Sequence, residues 1–111
     1  MGKKYIKLKD VIKFFNFTSA VEIFQIDTSI EYKKDDGEIV FTGHILDIPW
    51  YLLDYYLVKD SENDEPITTF VNDKSQACFY INVASSKAAV KKRKKEIKKM
   101  YKKIRKSIIE R

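Results

Sequence analysis

Cysteine, histidine, glycine and proline are scarce in this chain, and each scarcity closes off a class of chemistry. Cys78 is the one cysteine among 111 residues, which excludes an intramolecular disulfide and any Cys-x-x-Cys redox or zinc motif. It sits in the apolar run Ala77-Cys78-Phe79-Tyr80-Ile81 and reads as a small buried hydrophobe. His44 is the one histidine, so neither a cluster of imidazole metal ligands nor a histidine proton relay can be built. No metal and no cofactor are expected. Glycine occurs three times and proline twice, which leaves no phosphate-cradling glycine loop and predicts mostly regular structure. No stretch approaches the roughly 20 apolar residues of a membrane span. Met1 to Lys9 alternates charged and apolar residues without a hydrophobic run, which predicts no signal peptide and a cytoplasmic protein.

What is present is a foldable chain with an uneven charge. Hydrophobic residues make up 44% and aromatics 14%, enough apolar surface to offset the entropy of ordering. The length suits one domain rather than two. Residues 1–85 hold 9 Lys/Arg against 14 Asp/Glu, a net of −5. Residues 86–111 hold 13 against 2, a net of +11, and the two parts give the +6 of the whole chain. The chain therefore reads as an acidic body, residues 1–85, with a basic arm, residues 86–111.

The hydrophobic pattern assigns the elements. Leu8, Val11, Ile12 and Phe15 share one face of a short helix ending near Asn16. Val21 to Ile26 is β-branched and aromatic, a strand. Ile30-Glu31-Tyr32 extends toward a hairpin at Asp36-Gly37, and Glu38 to Ile45 returns with Ile39, Phe41 and Ile45 on one face. Ile48 to Tyr56 reads as a second short helix, capped by Asp47 with Pro49 in its first turn. Ser61 to Pro66 is an acidic loop. Ile67 to Val71 and Gln76 to Val83 form a second hairpin around Asn72-Asp73-Lys74. From Ser85 or Ser86, either able to cap, one helix runs toward the C-terminus. Its apolar residues Val90, Ile97, Met100, Tyr101, Ile104 and Ile108 fall within about 100° of arc. The expected fold is α+β: a small four- to five-stranded, mostly antiparallel sheet, two short helices and a long basic C-terminal helix.

Catalytic chemistry finds little to stand on. His44 lies beside Gly43 on a strand and reads as a surface or core-edge residue. Asp35 and Asp36 belong to a turn, and Asp47 and Asp54 read as a cap and a surface carboxylate. A Cys78–His44 nucleophile pair has no local context. The chain is expected not to be an enzyme.

The basic helix admits three readings. In the first, its lysines are only a solvated face, although a net of +11 over 26 residues is extreme and like charges at i, i+4 oppose helix formation. In the second, Lys91, Lys92, Lys94, Lys95, Lys98, Lys99, Lys102, Lys103, Arg105 and Lys106 contact a polyanion and release its counterions. Lysine outnumbers arginine there 10 to 3, which favours the RNA or DNA backbone over base reading. In the third, Val90, Ile97 and Ile104 form a heptad seam, weakened by Arg93, Met100 and Ser107 at the alternate positions; a monomer or weak dimer is expected. Membrane-surface binding is disfavoured, since the stripe has one aromatic and no tryptophan. Trp50, Tyr51 and Tyr55 make a secondary candidate surface, divided between core and rim.

The body also resembles a family of small, poorly characterised proteins from phages and integrative elements of Gram-positive bacteria. The matching residues are Leu8-Lys9-Asp10-Val11-Ile12, Val21-Glu22-Ile23, Gly43 with Asp47-Ile48-Pro49, Tyr56-Leu57-Val58 and Phe79-Tyr80-Ile81-Asn82-Val83. The resemblance spans about residues 8–83 and leaves out the basic helix. It implies a mobile-element accessory protein, a group that includes anti-CRISPR inhibitors, which bind host ribonucleoprotein nucleases without an active site. Together these readings lead to an expected inhibitor or modulator of a nucleic-acid-dependent host complex, its partner a protein or ribonucleoprotein. The alternative is a stand-alone nucleic-acid-binding accessory or regulatory protein.

Overall fold

The computed structural model describes residues 5–28, 37–59 and 65–109. Along the chain these form α1 (Leu8–Ile12), β1 (Ala20–Gln25) and β2 (Glu38–His44), then two 3₁₀ turns (Ile45–Asp47 and Trp50–Asp54). β3 (Tyr56–Leu57), β4 (Ile67–Val71), β5 (Ala77–Ala84) and α2 (Lys87–Ile109) complete it. The architecture is α+β with a five-stranded mixed sheet.

β5 organises the sheet. Its parallel partner is β1, and along its other edge β3 and β4 pair antiparallel, one beyond the other. β2 lies outside β1, antiparallel to it. Ile81, Asn82, Val83 and Ala84 are all buried, because layers cover both faces of the sheet at this end of β5. On one face Leu8, Val21, Ile23, Ile45, Ile48, Leu52, Ile81 and Val83 form the main core beneath α1 and the 3₁₀ turns. On the other, Ile26, Val58 and Ala84 meet Ala89 and Val90 of α2. The charge boundary near residue 85 is therefore crossed by a shared core.

Two local devices set the start of α2. Ser86 Oγ accepts a hydrogen bond from the Ala89 amide at 3.2 Å, so Ser86 is the N-cap. Asp27, just past β1, accepts from the Ser85 amide at 3.0 Å and from its hydroxyl, tying the helix start to the sheet.

Several elements differ from the sequence expectation. α1 ends at Ile12, although Val11, Ile12 and Phe15 still pack against the main core. The helix expected over residues 48–56 is instead one 3₁₀ turn, Trp50–Asp54, set apart from the preceding turn Ile45–Asp47 by Ile48 and Pro49, and Tyr56 already belongs to β3. The residue before a proline is driven out of the helical region, and Ile48 sits at φ −59°, ψ 126°. Asp47 ends the first turn instead of capping a helix, and Pro49 precedes the second. On β2 the pairing skips Val40, since Ile23 pairs with Phe41 and Phe24 with Ile39. This bulge puts Val40 and Phe41 against the main core and leaves Ile39 50% exposed, so Ile39, Phe41 and Ile45 do not share a face. The Asn72 hairpin forms as expected, with Asn72 Oδ1 accepting from the Lys74 and Gln76 amides. Asp36, the Ile30-Glu31-Tyr32 segment and residues 61–64 of the acidic loop lie outside the described residues. At the first of these gaps Gly37 has φ +139°, and a Cβ there would stand 2.7 Å from the Phe24 ring.

Candidate functional site

α2 is docked along its first half and exposed along its second. Val90, Arg93 and Ile97 are buried at 3%, 6% and 7% exposure, and Met100 is half-buried. From Tyr101 to Ile108 every residue is exposed. The apolar stripe continues through Tyr101, Ile104 and Ile108, which among the described residues stand exposed at 44%, 49% and 65%. Twenty-three residues at about 1.5 Å rise make a rod of about 34 Å, and the longest axis of the molecule is 49 Å.

All ten cationic candidates are exposed: Lys91, Lys92, Lys94, Lys95, Lys98, Lys99, Lys102, Lys103, Arg105 and Lys106. At 100° per residue they occupy roughly half the helix circumference, opposite the docked stripe. Glu96 is the one acidic residue among the described residues of the helix. Lys94 and Lys87 lay their stems toward the body, with Nζ 5.7 and 5.2 Å from the Tyr5 ring centroid, a cation–π arrangement. Arg93 turns inward. It lines a largely apolar groove of about 250 Å³ with Ile6, Leu57, Val58, Lys59, Pro66, Val90, Lys94 and Ile97.

The aromatic candidates separate. Trp50 is 79% exposed and Tyr51 46%, and the two rings meet edge-on at 6.3 Å. Tyr55 is half-buried and packs against the main core, with its ring 6.2 Å from Tyr51. Sequence reasoning missed three further exposed hydrophobic residues on the turns around this core, Phe14, Phe17 and Leu46, at 79%, 64% and 70% exposure. The Leu46 amide donates to the Phe17 carbonyl at 3.0 Å, so these residues ride on adjoining turns. One signal was available: Phe14 falls off the stripe made by Leu8, Val11, Ile12 and Phe15. This side of the sheet lies opposite α2.

The residues considered for catalysis are poorly placed for it. Cys78 is buried, and burial first, then the nearby Glu22 carboxylate, pushes its thiol above the usual range, opposite to what a thiolate nucleophile needs. Ala20 of β1 stands in register between His44 and Cys78, which separates their backbones by about two strand spacings, roughly 10 Å. His44 is exposed, with Nδ1 4.0 Å from the Asp47 carboxylate. Asp54 pairs with Lys9 at 3.3 Å and Lys7 at 3.8 Å. Among the described residues no group of three or more His, Cys, Asp or Glu side chains is placed to hold a metal ion. Nor is any helix among them long and apolar enough to cross a membrane. No protein family, curated protein or solved structure matches the chain.

Proposed function

We propose that the protein is a non-enzymatic binding protein of mobile-element type, an anti-CRISPR-like inhibitor or modulator of a nucleic-acid-dependent complex. The mobile-element assignment rests on the resemblance of residues 8–83 alone. The mode of binding rests on α2, and one observation carries it: the projecting half of the helix exposes a lysine face and an uncovered apolar stripe together. Lysines in this array neutralise successive phosphates with little sequence discrimination. Tyr101, Ile104 and Ile108 gain nothing from a phosphate backbone, and their burial calls for protein surface beside it. A ribonucleoprotein offers both. The exposed turn aromatics Phe14, Phe17, Trp50 and Tyr51 add a second surface of the composition that anchors protein interfaces.

Affinity capture from a bacterial lysate, with and without nuclease treatment, tests this reading. Recovery of a protein complex that is lost after nuclease supports it. Retention of random RNA or DNA by the purified protein at physiological salt, with no protein complex recovered, favours the stand-alone nucleic-acid-binding alternative. Recovery of a complex indifferent to nuclease transfers the contact to an acidic protein surface.

A further inference from the structure

Val21 and Ile23 point into the main core, so the alternate residue Glu22 emerges on the opposite face of the sheet. α2 covers only one end of that face, over Ile26, Val58 and Ala84. Beyond the helix Glu22 stands half-buried on a central strand, in register with Thr42 on β2 and Tyr80 on β5. Aromatic rings surround it. Phe24 and Tyr80 lie near parallel, 28° apart with centroids at 6.1 Å, and Phe70 meets Tyr80 edge-on at 79° and 6.2 Å. Glu22, Thr68, Phe70 and Tyr80 line a shallow cleft of about 260 Å³.

Among the described residues the Glu22 carboxylate makes neither an ion pair nor a side-chain hydrogen bond. Its field reaches across the face, where it is the second cause, after burial, of the raised Cys78 thiol. A partly desolvated anion without a partner is costly, and ring faces attract cations. We infer that the cleft binds a cationic side chain, the ammonium of lysine or the guanidinium of arginine, carried on a basic segment of a partner protein. Glu22 supplies the counter-charge, and Tyr80 and Phe70 supply the ring walls.

Two further features select this occupant. Residues 1–85 carry a net charge of −5, which draws in a basic segment and repels phosphate. The cleft is also smaller than the roughly 300 Å³ at which small-molecule sites begin, and it does not enclose its contents as they do. It suits one side chain delivered on a polypeptide.

The test uses the full chain labelled with ¹⁵N and titrated at constant ionic strength. The probes are N-acetyl-lysine methylamide, N-acetyl-arginine methylamide and tetramethylammonium chloride. A side-chain analogue should give saturable shift changes centred on the amides of Glu22, Phe70 and Tyr80. Glu22→Gln should weaken that binding about tenfold or more, and Tyr80→Leu should weaken it also. The glutamine variant should melt no lower than the parent, because it removes an uncompensated charge, so lost binding is not lost folding. Glutamine at Lys91, Lys95, Lys98, Lys102 and Arg105 should leave the titration unchanged, which lets this site and the helix interface fail separately. The inference is overturned if Glu22→Gln titrates like the parent, if no probe saturates at these amides, or if tetramethylammonium alone binds.

Discussion

Replacing Ile97 and Ile104 by alanine, one at a time, separates the docked half of α2 from the projecting half. Both residues belong to the same apolar stripe and are equivalent by periodicity. Ile97 is 7% exposed and Ile104 49%, so the same substitution should have two different costs. Removing a buried isoleucine side chain costs about 2–5 kcal/mol, the lower end applying where the surroundings relax into the space. Ile97 borders a groove of about 250 Å³, which places it near about 2–3 kcal/mol. Ile104→Ala should stay within about 0.5 kcal/mol, since the exposed site loses little burial and alanine is the better helix former. Urea unfolding followed by circular dichroism measures both. The Ile97 variant should shift the midpoint at constant m-value, and the Ile104 variant should overlay the parent. Equal losses would mean that the helix is docked along its whole length. No loss from either would mean that it does not dock beyond Val90, and the account of a shared core would be wrong.

Further outcomes follow from the same contacts. A chain ending at Ser86 should lose cooperative unfolding, because Ala89, Val90 and Ile97 are buried against the body; one ending at Lys99 should keep it, as thermal melts of the two will show. Asp27→Ala removes the acceptor for the Ser85 amide and hydroxyl and should cost about 1–3 kcal/mol, whereas Asp54→Ala, at an exposed ion pair, should cost under about 1 kcal/mol. The raised Cys78 thiol should react slowly with a thiol reagent at pH 8 and rapidly in denaturant. Because that thiol keeps its proton to higher pH in the folded chain than in the unfolded one, stability should fall as pH rises through and above the ordinary thiol range.

Much of this architecture is legible in the sequence where local chemistry decides it. A serine cap at residue 85 or 86, the Asn72 hairpin, the burial of Cys78 and the apolar stripe of α2 each follow from residue type and spacing, and the structure chooses Ser86. Features that depend on distant partners are not legible. The parallel pairing of β1 with β5 joins residues more than fifty positions apart. The bulge opposite Ile23 and Phe24 moves Ile39 off the face assigned by alternation. Pro49 suits the first turn of a helix as well as a break between two 3₁₀ turns, and only the packing of Ile45, Ile48 and Leu52 into the core chooses between them. For the candidate site, periodicity placed the lysines on one side of α2. It said nothing of where the body ends, so the uncovered half of the stripe emerged only from the fold. Glu22 was hidden for a related reason: a polar residue alternating with Val21 and Ile23 looks like an ordinary outward position until Phe70 and Tyr80 are brought around it.

The lysine face of α2 is the centre of the functional account, and one binding series addresses it directly. Binding of the full chain to random single-stranded RNA is measured across a range of salt concentrations. The comparison is a variant with glutamine at Lys91, Lys95, Lys98, Lys102 and Arg105, which keeps good helix formers in place. The account predicts that log affinity of the parent falls linearly with log salt, by about 0.7 for each phosphate neutralised on a single strand. It also predicts that the variant, folded by circular dichroism, loses both the affinity and most of the slope. A flat salt response of the parent, or a variant that binds as the parent does, would contradict it.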